Sequence, residues 1–196
     1  MKIEREDIII EPSAGAGAFI PLIKSLTDKY YFIDIAPDHP EVKEADFLKV
    51  KINIKNKERK VHIIGKPPFR LAVKFIKKCS NFANSISFIL PISFMKEFRK
   101  KSIPLNFHLV EEAEIPEGAF GKIKTVFQIW KKEKFDRVPP AVLEPIGYKF
   151  VKAEEADIAI GRRGTKQAGR IISKKLLEKN KEDNYFVNFD IPVNLQ

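Results

Sequence analysis

A chain of 196 residues suits one compact α/β domain with a small extension and excludes a large multidomain assembly. Its 44% hydrophobic content, with 16 Phe, 4 Tyr and 1 Trp, supplies a packed core and excludes a wholly disordered chain. A net charge of +10 predicts a surface that attracts polyanions and acidic membranes alike. The single cysteine, Cys79, leaves no intramolecular disulfide, and His39, His62 and His108 lack the spacing of metal ligands. The N-terminus, MKIEREDIII, lacks the order of a signal peptide, and the apolar stretch from Ile86 to Phe94 is too short to span a bilayer and contains Pro91. An intracellular protein, cytoplasmic or nuclear and without a membrane partner, is expected.

The first half alternates short apolar runs with amphipathic ones, the pattern of a parallel sheet covered by helices. Ile8–Ile10 reads as a strand that ends in EPSAGAGAF. Phe19, Leu22, Ile23 and Leu26 then recur at helical spacing, with Pro21 tolerable in a first turn. Tyr30–Ile33 reads as a second strand, ending at Asp34, and Val61–Ile64 as a third, ending at GKPPF. Leu71, Ala72, Phe75, Ile76 and Cys79 mark one face of a helix whose other face is basic. Ile86–Leu90 reads as a strand, Ser93–Lys101 as a short basic helix, and Leu105–Val110 and Ile123–Trp130 as late strands. The segment KKEKFDRVPPAVLEP, charged and then proline-rich, marks a linker. The division expected is a core at 1–135 and an extension at 136–196 packed on that core, with a basic loop at 161–175.

In EPSAGAGAF, Gly15 and Gly17 lie between a strand and a helix, where residues without Cβ allow a ligand close to the backbone. The G-x-G-x-x-G dinucleotide pattern is not met, because position 20 is Ile, and no Lys-Ser/Thr pair follows to make a P-loop. The acidic-x-x-x-Gly-x-Gly pattern resembles motif I of class I S-adenosylmethionine-dependent methyltransferases. That resemblance implies a doubly wound, mostly parallel, Rossmann-like sheet with helices on both faces. It also implies S-adenosylmethionine as cofactor, with Glu11 and Pro12 beside the cationic part of the ligand and Gly15 and Gly17 under it. Asp34, with Ile35 next to it, would take the ribose hydroxyls, and Asp46-Phe47 in EADFL would hold the adenine. The alternative for these residues is a tight turn, a loop cap and a solvated charge.

HIIGKPPF resembles the (D/N/S)-P-P-(Y/F/W) motif of amino-methyltransferases, above all those acting on the exocyclic amine of adenine. An aryl amine is a poor nucleophile, so such an enzyme positions the nitrogen and accepts its hydrogens. The resemblance gives Pro67 a carbonyl acceptor, Pro68 a stiffening role and Phe69 the face that stacks on an extruded base. Lys66 stands where the family has Asn or Asp, and an ammonium offers donors and no acceptor. A cofactor- and nucleic-acid-binding relative with impaired chemistry, an introduced lysine, and a changed substrate all remain open.

Two basic runs complete the pattern. The first, Lys49–Lys60, contains Lys55, Lys57, Arg59 and Lys60, and is read as adjoining the substrate mouth. The second, Gly161–Lys175, contains Arg162, Arg163 and Lys166. Each is a candidate phosphate-binding segment or a solvated loop. Ile160, Arg162-Arg163, Gly164, Ala168-Gly169 and NYFV are similar to the tail of small adenine-methylase-like proteins from phages and large DNA viruses, which implies a virus- or phage-encoded chain. The expected function is methylation of the adenine exocyclic amine in DNA or RNA, without a metal. Sequence specificity would be short-range or supplied by a homo- or hetero-oligomeric partner. The alternatives are a catalytically silent nucleic-acid-binding subunit and a protein glutamine methyltransferase.

Overall fold

Three isoleucines and Glu11 form β1 (Ile8–Glu11), in which all four residues are buried. A central parallel strand is covered on both faces, which is why it reads as a continuous apolar run rather than an alternating one. Ile9 points into a cluster with Ile20 and Ile23 of α1 (Ile20–Leu26). Ile8 and Ile10 point the other way, into a cluster with Phe75, Ile76 and Cys79 of α2 (Ala72–Ser80). The two helices therefore pack on opposite faces of the sheet.

The computed structural model describes residues 2–54, 59–139, 144–161, 169–172 and 184–190, in two units, Met1–Pro140 and Ala141–Gln196. In the first unit β1 is joined by β2 (Lys29–Asp34), β3 (Lys43–Glu44), β4 (Val61–Gly65), β5 (Ser85–Pro91), β6 (Phe107–Ile115) and β7 (Thr125–Lys132). Their order is β3-β2-β1-β4-β5-β7-β6. β7 alone runs against its neighbours, so the sheet is mostly parallel and doubly wound. The chain leaves β1 toward β2 and β3 on one side and returns through β4 to the other. The crevice for a ligand in such a sheet opens at the carboxyl ends of β1 and β4, where the order reverses.

Several elements differ from their sequence reading. Leu22 is 52% exposed, and Ile20 with Ile23 forms the buried stripe of α1. The 93–101 segment is broken at Lys96 (ψ 138°) into a 3₁₀ turn at Ile92–Met95 and a one-turn helix, α3 (Glu97–Lys100). β3 has two exposed residues and therefore left no apolar signal. Beside α2, the segment after Phe47 adds to the same face of the sheet. Val50, Ile52 and Ile54 pack half-buried against that core, alternating with exposed Lys49, Lys51 and Asn53, and the Lys78 ammonium donates to the Val50 carbonyl at 2.5 Å. A cavity of about 610 Å³ remains between this segment and the sheet, lined by Ile8, Ile10, Tyr31 and Ile33 among others. No residue of the glycine loop or of GKPPF lines it.

The amino ends of the strands are closed by a buried polar network. His62 Nδ1 lies 2.7 Å from Ser85 Oγ, and Nε2 lies 3.2 Å from Asp7 Oδ2. Burial pushes the Asp7 carboxyl up, but the Glu4 N–H and His62 outweigh it and hold it below its ordinary value. The ionised carboxylate accepts from Nε2–H, and Nδ1 accepts from the Ser85 hydroxyl. All three residues are buried, so this Ser-His-Asp arrangement is reached by no substrate and acts as a structural tie.

In the second unit β8 (Tyr148–Phe150), β9 (Ile158–Gly161), β10 (Ile171–Ile172) and β11 (Asn184–Phe189) form an antiparallel sheet in the order β10-β9-β11-β8. Among the described residues no helix is long and apolar enough to cross a membrane.

Burial holds His62 below its ordinary value of 6.5. The stabilisation from keeping it neutral is complete above about pH 6.5 and is lost as pH falls through the lower folded value, with the Asp7 contribution following at still lower pH. The thermal midpoint of the parent chain should fall between pH 6.5 and 5 by more than that of His62→Gln. Parallel midpoints for the two chains across this range would remove His62 from the acid response.

Candidate functional site

The carboxyl ends of β1, β2 and β4 carry the chemistry that the sequence singled out. Glu11 ends β1 with 1% of its surface exposed, and its Oε2 has no hydrogen-bond partner. An unpaired buried carboxylate is costly in water-free surroundings. Burial, reinforced by the nearby Asp34, pushes the Glu11 carboxyl up to about 7.

Gly65, the last residue of β4, lies flat against this side chain. A Cβ at position 65 would stand 3.3 Å from Glu11 Cγ and 3.6 Å from Pro12 Cδ, and its φ of +155° disfavours any side chain. Pro12 is buried beside it. The glycine loop then turns toward β2. Gly15, at φ +50°, donates its N–H to Asp34 Oδ2 at 2.8 Å. Gly17, at φ +79°, is pressed against Ile20 and the His39 ring, where a Cβ would come within 2.7 and 3.0 Å. Ala36 N–H donates to Asp34 Oδ1 at 2.9 Å. Each oxygen of Asp34 is thus oriented by one backbone donor and keeps a lone pair for a second. Ile35 follows, 68% exposed.

Asp46 is brought to the same edge by β3, since Glu44 pairs with Asp34 and Ala45 N–H donates to the Asp34 carbonyl. Its Oδ1 caps Leu48 N–H, and its Oδ2 lies 3.5 Å from Lys49 Nζ. The Phe47 ring is buried against Phe75, 5.3 Å between centroids, so only its backbone can face a ligand.

The GKPPF loop joins this edge through Ser13, whose hydroxyl donates to the Lys66 carbonyl at 3.1 Å. Pro67 is buried and Pro68 exposed, and the two prolines delay the helical turn that begins at Phe69. The Lys66 ammonium lies 5.0 Å from the Phe69 ring centroid and 5.6 Å from that of Phe120. Phe120 stands at the tip of the β6–β7 hairpin, beside the Gly118–Gly121 bridge. Sequence reasoning missed it, and the only available signal was an aromatic residue inside a glycine-flanked turn, EGAFGK.

The basic segments divide. Lys49 stays at the site edge, next to Asp46. Arg59 and Lys60 precede β4, at the opposite end of the sheet from Lys66, and Arg59 pairs with Glu6 at 3.2 Å. Arg59 and Lys60 therefore do not adjoin the GKPPF loop, because the buried β4 separates them from it. Lys55, Lys57, Arg162, Arg163 and Lys166 lie outside the described residues. No group of metal-binding side chains occurs among the described residues.

No protein-family model matches the sequence, and no curated protein matches it. Solved structures do match its fold. A 23S rRNA methyltransferase, ErmE, superimposes with a TM-score of 0.50 at 11% identity, over 68% of this chain and 64% of its own. A dimethyladenosine transferase from Plasmodium falciparum gives 0.55 at 14% identity, over 67% of this chain and 58% of its own. The chain therefore has the Rossmann-like fold of class I methyltransferases and spans about three fifths of the length of these two proteins.

The raised Glu11 carboxyl carries a definite stability signature. Its ordinary value is 4.5, so the folded chain pays nothing for it below that pH, loses stability as pH rises toward 7, and bears the full cost above. Glu11→Gln should stabilise the ligand-free chain at pH 8 by roughly 1–3 kcal/mol, with little change at pH 4.5. Equal denaturant midpoints at pH 8 would mean that Glu11 finds a partner in solution.

Proposed function

We propose that the chain binds S-adenosylmethionine at the carboxyl ends of β1 and β2 and presents the exocyclic amine of an adenine, in DNA or RNA, beside the GKPPF loop for methylation. The observation that carries this reading is the orphaned, buried Glu11 carboxylate beside a glycine loop with two left-handed residues. Such a site offers negative charge, which suits a nucleoside whose charged groups are a sulfonium and an amine better than a phosphate. Two nearby methyltransferase structures are described as an rRNA methyltransferase and a dimethyladenosine transferase, which supports a nucleic-acid adenine as acceptor.

The residues divide the work. Asp34 offers its remaining lone pairs to the ribose hydroxyls, and Asp46 with the Phe47 backbone borders the adenine. Glu11 faces the cationic part of the cofactor. The bound cofactor supplies an electrophilic methyl group. Pro67 offers its carbonyl to an amine hydrogen, the proline pair holds the loop still, and Phe69 with Phe120 supplies rings for a base. Lys49, at the site edge, would take a phosphate at little desolvation cost.

Lys66 argues for a second reading, a catalytically silent nucleic-acid-binding subunit. Its ammonium lies over both rings and brings a cation to the place where an amine needs an acceptor. Replacing it by asparagine separates the two. Lys66→Asn should raise methyl transfer to adenine-containing oligonucleotides by on the order of 10²–10³-fold. Absence of transfer by both chains, with the cofactor bound, favours the silent subunit. Asp34→Ala should abolish cofactor binding in calorimetry, and unchanged affinity would take Asp34 out of the site.

A further inference from the structure

Four lysines among the described residues hold their ammonium over an aromatic ring, and three of these also reach an oxygen. Lys24 pairs with Glu41, Lys78 donates to the Val50 carbonyl, and Lys132 to the Ser80 carbonyl. Lys66 differs. It lies over two rings, Phe69 and Phe120, and its ammonium has no oxygen partner among the described residues. Its backbone is fastened to the glycine loop by Ser13, and its neighbour Gly65 lies against Glu11. An amine is thus carried by the loop that would position an acceptor amine, on a side chain tied down by no ion pair.

From this placement we infer that Lys66 is itself a methyl acceptor, and that the chain methylates its own ε-amine within the Phe69–Phe120 pair. The inference rests on the proposed cofactor site. In the step, the Lys66 ammonium first gives a proton to water. The Nζ lone pair then forms a bond to the methyl carbon of S-adenosylmethionine as the carbon–sulfur bond breaks. The bonding pair goes to sulfur, leaving a neutral thioether and a methylated ammonium at Lys66. Aromatic rings bind methylated ammonium groups well, because methylation lowers hydration while the positive charge stays over the ring face. The product is therefore held by the same two rings, and a second transfer can follow.

The full chain, incubated with isotope-labelled S-adenosylmethionine and no nucleic acid, should gain methyl groups that peptide mapping places at Lys66. Lys66→Arg should gain none while still binding cofactor in calorimetry. A second readout needs no turnover. After reductive methylation with ¹³C-formaldehyde, the Lys66 dimethylamine signal should stand apart from the other lysines through ring currents, move when S-adenosylhomocysteine is added, and rejoin the others when both rings are removed in Phe69→Leu/Phe120→Leu. Methyl groups spread evenly over surface lysines, or a Lys66 signal that coincides with the rest, would overturn the inference. An unmodified Lys66 in a chain whose Lys66→Asn variant methylates adenine would overturn it and leave the proposed function standing. Failure of calorimetry to detect cofactor on either chain would overturn both.

Discussion

Burying Glu11 without a partner is the constraint around which this end of the molecule is arranged. The strand that carries it is covered on both faces, so the carboxylate cannot turn to solvent. A Cβ at Gly65 would crowd the Glu11 side chain, and Asp34 adds a second negative group across the glycine loop. A ligand-free fold gains nothing from this arrangement. A bound cation, as proposed, would turn the cost into affinity, the usual relation between a strained site and its function.

The two ends of the sheet handle buried charge in opposite ways. At the amino ends, Asp7 is ionised and satisfied by Glu4 N–H and His62, and His62 in turn faces Ser85. Every buried polar atom there has a partner, and acid is what breaks the set. At the carboxyl ends Glu11 has an oxygen with none, and alkali is what exposes its cost. Sealed polar groups at one end and unsatisfied ones at the other fit a sheet whose function sits where strand order reverses.

The sheet was legible because its strands are buried on both faces. Ile8–Ile10 reads as an uninterrupted apolar run, Val61–Ile64 and Ile86–Leu90 as apolar runs broken only by His62 and Ser87, and the helix at 72–80 shows one clean stripe. β3 was not legible, since two exposed residues pair through backbone alone. Leu22 misled because spacing says which residues share a face but not which face the neighbours bury, and the 93–101 segment because the extended backbone at Lys96 leaves no mark on the spacing. At the site, the glycines and acids announced themselves by their order along the chain. The relation of Gly65 to Glu11 did not, because it depends on two strands 54 residues apart in sequence meeting side by side. Phe120 is a long-range partner of the same kind. In the lysine-rich run after Asp46, Lys49 stays beside Asp46 while Arg59 pairs with Glu6 at the amino ends of the strands, a difference that composition does not show.

The central claim is that the orphaned Glu11 carboxylate receives a cation. Titration calorimetry of S-adenosylmethionine at pH 7, run in two buffers of different ionisation enthalpy, measures it directly. With a carboxyl near 7 in the free chain, binding should release on the order of half a proton, and Glu11→Gln should abolish that release. Binding without proton exchange, or the same exchange in Glu11→Gln, would contradict the account.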